Sequence, residues 1–471
     1  MTKRWGTSST MSWRRGTTAS GAALLLAAAL VLAGPANLNA ANAATTTVPA
    51  AAQTAARAAV SAKKTKKAQK TTKPFVVTSG ITFNHPFRKG RQAAIQNKIV
   101  STLRHVKKGQ TVRVMTWNFD SPRLAGALIA AHKRGVSVQI IMSRPLAMSQ
   151  GPGRSYPTLR NALAKGNQKR PATLRSWIHT CFKTCRGNGG AMHDKLMLVS
   201  KSGVTKDIVM EGSANFTGAA AYNQFNDWVT ITNKPGVYKG WMKMWNQARK
   251  DKPVAALRFR KGDILSMFSP HHKQPDPAMH VLNEIKCHGA TNRADGRTKI
   301  RIANAVWGDQ RGVRIAQKVK QLSNQGCNIK IVMMMMPLKI RNILKGLRAK
   351  QMVYIVGATA NKFKDRYVHL KGMSVQGNIA GKTDGAVVLS SSENWTQLCM
   401  HSDEQDLIIY NHPAWAAKYA NWVDLVYKQA PRSLSNYVGS ADPQARMLMN
   451  PNSEFLSPKD YPFAQLEDEL S

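Results

Sequence analysis

One short pattern, His-x-Lys followed by Ser-x-Asn, occurs twice in this sequence and indicates its fold. The first is HDKLMLV at residues 193–199, followed by GSAN at residues 212–215. The second is HLK at residues 369–371, followed by SSEN at residues 391–394. From the His to the final Asn the step is 22 residues in one copy and 25 in the other. A duplicated order with nearly duplicated spacing is far harder to obtain by chance than one short motif. We therefore expect two similar halves in one chain.

A second repeated pattern precedes these motifs, and it reads strand, helix, glycine, strand. In the first copy it covers residues 112–117, 122–134, 135 and 136–142, and in the second it covers residues 300–303, 310–325, 326 and 328–336. Pro122 suits the first helical turn, and each glycine suits the residue after a helix. Alternation of strands and helices predicts an α/β fold. We expect two similar α/β halves related by a pseudo-twofold axis.

The repeated motifs bring polar side chains together. On a strand, residues i and i+2 point to the same side. That rule pairs a His with a Lys, and a Ser with an Asn, in each half. The pairs are His193 with Lys195, His369 with Lys371, Ser213 with Asn215, and Ser392 with Asn394. If the halves face each other, two imidazoles and two ammonium groups meet at one point.

Such a set suits cleavage of a phosphodiester. Two cations and several neutral donors can stabilise the charge on the phosphoryl oxygens in the transition state without a metal ion. One neutral His can attack phosphorus, and the opposing protonated His can give a proton to the leaving oxygen. We therefore expect a phospho-histidine mechanism, with no metal and no cofactor.

These residues resemble the signature of the phospholipase D superfamily, which is His-x-Lys with a downstream Gly/Ser-x-Asn, once in each half. The resemblance implies two lobes, each an α-β-α sandwich. It also implies a covalent mechanism without metal. The catalytic set that it implies is His193, Lys195, Asn215, His369, Lys371 and Asn394. By the same resemblance, His193 is the nucleophile and His369 the general acid and base.

The sequence departs from the family pattern at one position in each half. The full motif has an Asp five residues after the Lys, and this chain has Ser200 and Gln376 there. The family also uses an acidic residue after the Asn to hold the catalytic His in orientation. Asp227 and Glu404 stand at about the right distance, and Asp403 is a close competitor for Glu404. We expect Ser213, Ser392, Asp227 and Glu404 to support the site.

The first 43 residues have the layout of a secretory signal peptide. Lys3, Arg4, Arg14 and Arg15 precede the apolar run GAALLLAAALVLA at residues 21–33, and a small-x-small cleavage site ends at Ala43. The alternative is an N-terminal membrane anchor. Residues 44–74 are expected to be a disordered basic linker. We expect lobes at residues 75–250 and 251–438, and a polar tail at residues 439–471.

The cysteines fit export to an oxidising compartment. Cys181 with Cys185, and Cys287 with Cys327, could form two local disulfides and leave Cys399 free. The first pair lacks a second ligand pair at zinc spacing.

The charge indicates an anionic partner. The chain has 471 residues, with 69 Lys and Arg against 24 Asp and Glu, and a formal net charge of +45. We expect a secreted, monomeric phospholipase D-type phosphodiesterase that acts on phospholipid headgroups at an anionic membrane surface, with hydrolysis or transfer to another alcohol. A secreted nuclease with the same site is the first alternative, since the charge also fits nucleic acid. A noncatalytic binder of anionic polymers is the second.

Overall fold

The structure is a computed structural model, and it describes residues 73–187, 189–270, 275–354 and 366–434. The predicted signal peptide at residues 1–43, almost all of the predicted linker and the predicted tail at residues 439–471 lie outside the described residues. Within the described ranges, no helix has both the length and the apolar character that crossing a membrane requires.

Strands run through both predicted halves. In chain order they are β1 (Gly80–Phe83), β2 (Thr111–Thr116), β3 (Phe119–Asp120), β4 (Ser137–Ser143), β5 (Trp177–Cys181), β6 (Lys195–Ser202), β7 (Thr205–Gly212), β8 (Phe216–Thr217), β9 (Gln224–Phe225), β10 (Asp227–Ile231), β11 (Leu257–Lys261), β12 (Ile264–Phe268), β13 (Lys299–Val306), β14 (Asn328–Met335), β15 (Ala349–Gln351), β16 (Val353–Tyr354), β17 (Arg366–Val368), β18 (Lys371–Ile379), β19 (Lys382–Ser391), β20 (Gln405–Tyr410) and β21 (Arg432–Ser433).

Helices alternate with these strands. In chain order they are α1 (Ala94–Arg104), α2 (Pro122–Lys133), α3 (Arg144–Met148), α4 (Ser155–Ala164), α5 (Gly218–Tyr222), α6 (Pro235–Ala248), α7 (Pro277–Asn283), α8 (Asp309–Asn324), α9 (Leu338–Ile343) and α10 (Pro413–Gln429). The predicted boundary between the lobes, at residues 250 and 251, falls in the segment between α6 and β11. The division of the chain into those domains stays a prediction.

Two large sheets have the same strand order. The first is β1-β10-β7-β6-β2-β4-β5, and the second contains β12-β20-β19-β18-β13-β14-β15 between β11 and β21. Both are antiparallel up to the β6–β2 and β18–β13 pairs, and then parallel at β2–β4 and β13–β14. The predicted α/β class is confirmed, and the pseudo-twofold axis stays a prediction.

The apolar run in HDKLMLV is buried on both faces of the first sheet. Leu196 and Leu198 belong to the core on one face, together with residues of α6. Met197 and Val199 belong to the core on the other face, with residues of α1, α2 and α4. A strand buried on both faces needs apolar residues without alternation, and this strand has them.

Both predicted glycine stops end a helix in the same way. Gly135 and Gly326 have φ angles of 90° and 94°, a region that an L side chain rarely adopts. After α2, the amides of Gly135 and Val136 donate to carbonyls of the last turn at 2.9 and 3.1 Å. After α8, the corresponding distances from Gly326 and Cys327 are 3.0 and 3.1 Å. Each half therefore closes its helix with the same hydrogen-bonded cap.

One hydrophobic core joins the two sheets. Trp241 of α6 packs edge-on against Phe268 of β12 at 4.8 Å, and its indole NH donates to Ser266 at 3.0 Å. Phe83 of β1 stacks on Trp422 of α10 at 4.8 Å. Because buried residues of both halves belong to the same core, the helices α6 and α10 connect the sheets that carry the repeated motifs.

The cysteines pair locally. Cys181 is bonded to Cys185 and Cys287 to Cys327, whereas Cys399 is free and buried. Cys181, Cys185 and Asp251 place ligand-type atoms within 4.8 Å of one another, but both sulfurs are already committed to the disulfide.

Candidate active site

The repeated polar residues lie at corresponding ends of strands. His193 and His369 lie two residues before Lys195 and Lys371, which are the first residues of β6 and β18. Asn215 and Asn394 follow the ends of β7 and β19. All of these side chains are buried: His193, Lys195, Asn215, His369, Lys371 and Asn394. Buried polar groups at the ends of adjacent strands are typical of a functional site rather than a solvated surface.

Backbone hydrogen bonds connect each His to the other half of the chain. The amide of His193 donates to the carbonyl of Asp403 at 2.9 Å, and the amide of His369 donates to the carbonyl of Phe225 at 3.0 Å. Each carbonyl lies between the motif Asn and the next strand of the large sheet in its half, which is β20 for Asp403 and β10 for Phe225. The backbone of each motif His is thus joined to the segment that follows the motif Asn of the other half.

Glu404 holds His193 across the two halves. Ring nitrogen Nδ1 of His193 lies 2.8 Å from Oε1 and 2.9 Å from Oε2 of Glu404. Burial alone raises the pKa of Glu404, but the nearby His193 and Lys195 outweigh it and hold this pKa below the ordinary glutamate value. The partner of His193 is therefore a carboxylate.

The neighbouring Asp403, which competed with Glu404 in the sequence, has a different task. Its carboxylate accepts from the backbone amides of Cys185 at 2.5 Å and Arg186 at 3.1 Å. Burial, only partly offset by Arg186, raises the pKa of Asp403 to about 7. Asp403 therefore positions the loop before His193, while Glu404 contacts the ring.

His369 has an amide partner instead of a carboxylate. Its Nδ1 lies 2.8 Å from Oδ1 of Asn226. The structure places Asn226 at this nitrogen, where the sequence favoured the neighbouring Asp227. Asp227 accepts from the hydroxyls of Ser213 at 2.6 Å and Ser390 at 2.9 Å. Burial raises the pKa of Asp227, and those hydrogen bonds oppose the shift.

The strand register explains the difference. Gly212 and Ser391 hold the same motif position in the two halves, and they pair with Trp228 and Asp406. Trp228 is therefore equivalent to Asp406, and two residues earlier Asn226 is equivalent to Glu404. Asp227 corresponds to Gln405, whose side chain bonds to the backbone of Lys195 at 3.0 Å. One residue along a strand reverses the side on which a side chain lies.

Contacts around Asn226 set the direction of its amide. Nitrogen Nδ2 donates to the carbonyl of Ala220 at 3.0 Å and to Oε1 of Gln224 at 3.1 Å. The hydroxyl of Ser213, whose one proton is shared with Asp227, also lies 3.0 Å from Oδ1. The oxygen of Asn226 therefore faces His369, and Nδ1 of that ring is the donor.

The two motif lysines differ as well. Lys371 Nζ lies 2.7 Å from Nε2 of His369, and an ammonium can only donate, so this Nε2 carries no proton. Lys195 Nζ donates to the backbone carbonyl of its own His193 at 2.8 Å. His369 is thus held as the neutral ring protonated on Nδ1.

The predicted supporting hydroxyls do not point to a common centre with the histidines. Ser213 contacts Asp227 and Asn226, and Ser392 donates to Oε2 of Glu404 at 2.5 Å. They therefore act on the groups that hold or lie next to the rings.

The residues that replace the motif Asp lie far from the rings. Ser200 accepts from the amide of Thr111 at 2.9 Å and donates to Gln110 at 2.8 Å, near the far end of β6. Gln376 pairs with Lys299, the first residue of β13. Neither Ser200 nor Gln376 therefore replaces a hydrogen-bond partner of His193 or His369.

Arg311 is a site residue that sequence reasoning missed. Its buried guanidinium bonds to Glu393 at 2.6 Å and Asp276 at 2.7 Å, and to the backbone carbonyl of Asn394 at 3.2 Å. It therefore positions the loop of the second motif Asn. Its place in α8 carries no motif that could have revealed this role.

The aromatic residues that follow the corresponding strands also differ. Trp117 packs edge-on against His193 at 5.3 Å, whereas Trp307 packs against Trp395 at 4.3 Å. Trp117 therefore restricts the ring of His193, and Trp307 belongs to a hydrophobic core built from residues of the second half.

Known proteins share parts of this architecture. Residues 99–247 match the family model described as "Cardiolipin synthase, PLD-like domain". A search of curated proteins found no match. Among solved structures, the polyphosphate kinase of Porphyromonas gingivalis is 11% identical with a TM-score of 0.48, and the match covers 84% of this chain and 56% of the kinase.

Two further structures are similar. A phospholipase D family member, Nuc from Salmonella typhimurium, is 21% identical with a TM-score of 0.27, and the match covers 37% of this chain and 95% of Nuc. The phosphatidylserine synthase of Haemophilus influenzae Rd KW20 is 13% identical with a TM-score of 0.47, covering 84% of this chain and 95% of the synthase. The family match, on residues that include the first His-x-Lys motif, identifies residues 99–247 as a PLD-like domain of the phospholipase D superfamily.

Proposed function

We propose that this protein is a phosphodiesterase that cleaves phospholipid headgroups through a phospho-histidine intermediate. The observation that carries the proposal is that each histidine is hydrogen-bonded to a residue of the other half, His193 to Glu404 and His369 to Asn226. Two rings with unlike partners suit a reaction in which one ring bonds to phosphorus and the other moves a proton.

His193 is the nucleophile in this proposal. The unprotonated Nε2 of the neutral His193 ring attacks phosphorus. A P–N bond forms, and the P–O bond to the headgroup alcohol breaks. The phosphorylated imidazole keeps its proton on Nδ1 and carries a positive charge. Glu404 lies 2.8 Å from that nitrogen and neutralises the charge, which the uncharged Asn226 could not do for His369.

His369 is the general acid and base. Lys371 donates to Nε2 of His369 in the absence of substrate, which disfavours a proton on that nitrogen. A phosphoryl oxygen competes for this ammonium, so binding of an anionic substrate frees Nε2 to take up a proton. His369 then gives the proton to the leaving oxygen. It later removes one from water or another alcohol, whose oxygen attacks phosphorus and releases His193.

The net charge of +45 supports an anionic substrate surface, and we propose that the protein is exported and acts as a monomer at anionic membranes. Both motifs lie in one chain, so a second copy is not needed to complete the site.

The test measures headgroup release from mixed phospholipid vesicles in excess chelator, beside a plasmid-nicking assay. We expect release by the unmodified protein and none by His193→Ala. Nicking without headgroup release would overturn the lipid substrate in favour of nucleic acid. Neither activity in the unmodified protein would favour a noncatalytic binder of anionic polymers.

A second measurement tests the assignment of the rings. With a phosphodiester that has a nitrophenolate leaving group, protonation of the leaving oxygen is not required, so His369→Ala should accumulate the covalent intermediate. We expect mass spectrometry under alkaline conditions to find phosphorus on His193. Phosphorus on His369 of the His193→Ala variant, with none on His193 of the His369→Ala variant, would reverse the assignment.

A further inference from the structure

A basic pocket lies at one end of the central strands β6 and β7, at the opposite end from the histidines. It has a volume of about 590 Å³ and lies between the end of α1 and the turn that joins β6 to β7. Its charged wall is formed by Arg104, Lys107, Lys108 and Arg134. The volume is within the range of ligand pockets in proteins.

Nothing in the pocket balances these four cations. Its lining contains no acidic residue, and the four side chains are exposed. Within the described part of the chain, none of them is in an ion pair. Four cations around one concave space raise the local concentration of anions, and Arg and Lys donate strong hydrogen bonds to phosphate oxygens.

Aromatic and apolar side chains complete the wall. Phe75 stacks on His105 with ring centroids 3.6 Å apart and an angle of 9° between the rings. Val204, which is 55% exposed, lines the turn between β6 and β7. The pocket therefore has aromatic and apolar side chains beside its cations, a combination that suits a chain bearing both phosphates and organic groups.

The pocket is separate from the histidines. Strand β6 runs from Lys195, beside His193, to Ser202, beside the pocket residue Gly203. Seven residue steps at a rise of about 3.3 Å make this distance roughly 23 Å. A headgroup bound at His193 therefore cannot occupy the pocket.

We propose that this pocket binds a flexible anionic chain with successive phosphate groups, as a second site remote from the catalytic one. A concave site with cations on several sides fits a chain that enters it. A flat bilayer would instead meet the rim of the pocket.

The test compares two triple variants of the full-length chain with equal loss of charge. The pocket variant combines Arg104→Gln, Lys107→Gln and Lys108→Gln. The control combines Arg314→Gln, Lys339→Gln and Lys345→Gln, which are exposed residues of the second sheet's helices and loops. The probes are a short fluorescent oligothymidylate, inorganic polyphosphate as its competitor, and phosphatidylglycerol vesicles.

We expect the pocket variant to bind oligothymidylate more weakly than the control. The slope of log affinity against log salt concentration should be less steep than in the unmodified protein by about 2. Three phosphate contacts are lost, and each contact on a single strand contributes about 0.7. Competition by polyphosphate would show that the chain phosphates suffice. Its absence, with oligothymidylate still bound, would show that the bases are also required.

Equal weakening in both variants would overturn the proposal, because only net charge would then matter. So would a loss of vesicle binding without a loss of oligothymidylate binding, which would assign the pocket to a bilayer. Melting temperatures should be unchanged, since all six side chains are exposed. The readout is binding alone, so failure of the phosphodiesterase assays would leave this test intact.

Discussion

Asn226 accepts a hydrogen bond from His369 at 2.8 Å, at the position where the other half of the chain presents the carboxylate of Glu404 to His193. The two rings therefore have the same geometry and different electrostatics. A carboxylate within hydrogen-bonding distance favours the charged imidazolium, whereas an amide oxygen supplies only a dipole. This difference is the basis of the roles that we propose for the two histidines.

Replacing the amide by a carboxylate should make His369 more basic. In Asn226→Asp, an opposite charge next to the ring should raise the apparent pKa of the corresponding limb in the pH dependence of kcat by about one to three. The measurement is a pH–rate profile of headgroup release. A lower melting temperature is also expected, because the new carboxylate faces the carbonyl of Ala220. An unmoved limb would contradict the electrostatic interpretation.

Removing the charge beside His193 should slow the reaction. In Glu404→Gln, the lost stabilisation of the charged ring corresponds to one to three pKa units, so we expect kcat to fall by about 10- to 1000-fold. Asp384→Asn is a suitable control, since it removes an exposed carboxylate from the same half. A kcat of Glu404→Gln equal to that of the control would argue against His193 as the nucleophile.

A buried carboxyl should make stability depend on pH. Burial raises the pKa of Asp406 to about 8, despite hydrogen bonding to Ser391 and the charge of Arg311. Between the pKa of an unfolded Asp, about 4, and pH 8, the folded state therefore binds one more proton than the unfolded state. Its contribution to stability is complete below that window and is lost as pH rises, by about 1.4 kcal/mol per pH unit.

Asp406→Asn should remove that part of the dependence. We measure the free energy of unfolding by urea denaturation between about pH 5 and 8. Its decrease with rising pH should be smaller in the variant than in the unmodified protein, by about 1.4 kcal/mol per pH unit. Asp403 is expected to retain its own contribution, since burial raises its pKa to about 7. A slope as steep as that of the unmodified protein would show that Asp406 is ionised in the folded state.

The two disulfides should contribute unequally. Cys287 and Cys327 close a separation of 40 residues, and Cys181 and Cys185 close one of 4. Chain entropy predicts that replacing the long-range pair by alanines costs about 4 kcal/mol, and the short-range pair about 2 kcal/mol. Urea denaturation of both double variants measures the two costs. Equal costs would mean that constraint of the unfolded chain is not the main effect.

Local features of the sequence determined the repeated strands, the helix ends and the positions of the motif residues. The period of two put His193 with Lys195 at one strand end, and Gly135 ended α2 because only glycine readily adopts its φ angle. Such features depend on neighbouring residues, so they can be read without knowing the rest of the fold.

The partners of the two rings depend on contacts between distant segments of the chain. Glu404 lies 211 residues from His193, and choosing it over Asp403, or Asn226 over Asp227, depends on a one-residue register. Arg311 reaches Glu393 from a helix 82 residues away, and no local pattern predicts that contact. Strand periodicity predicts which residues lie on the same face of a strand. Only the packing of the two halves determines what each face meets, because those contacts form between segments that are far apart in the chain.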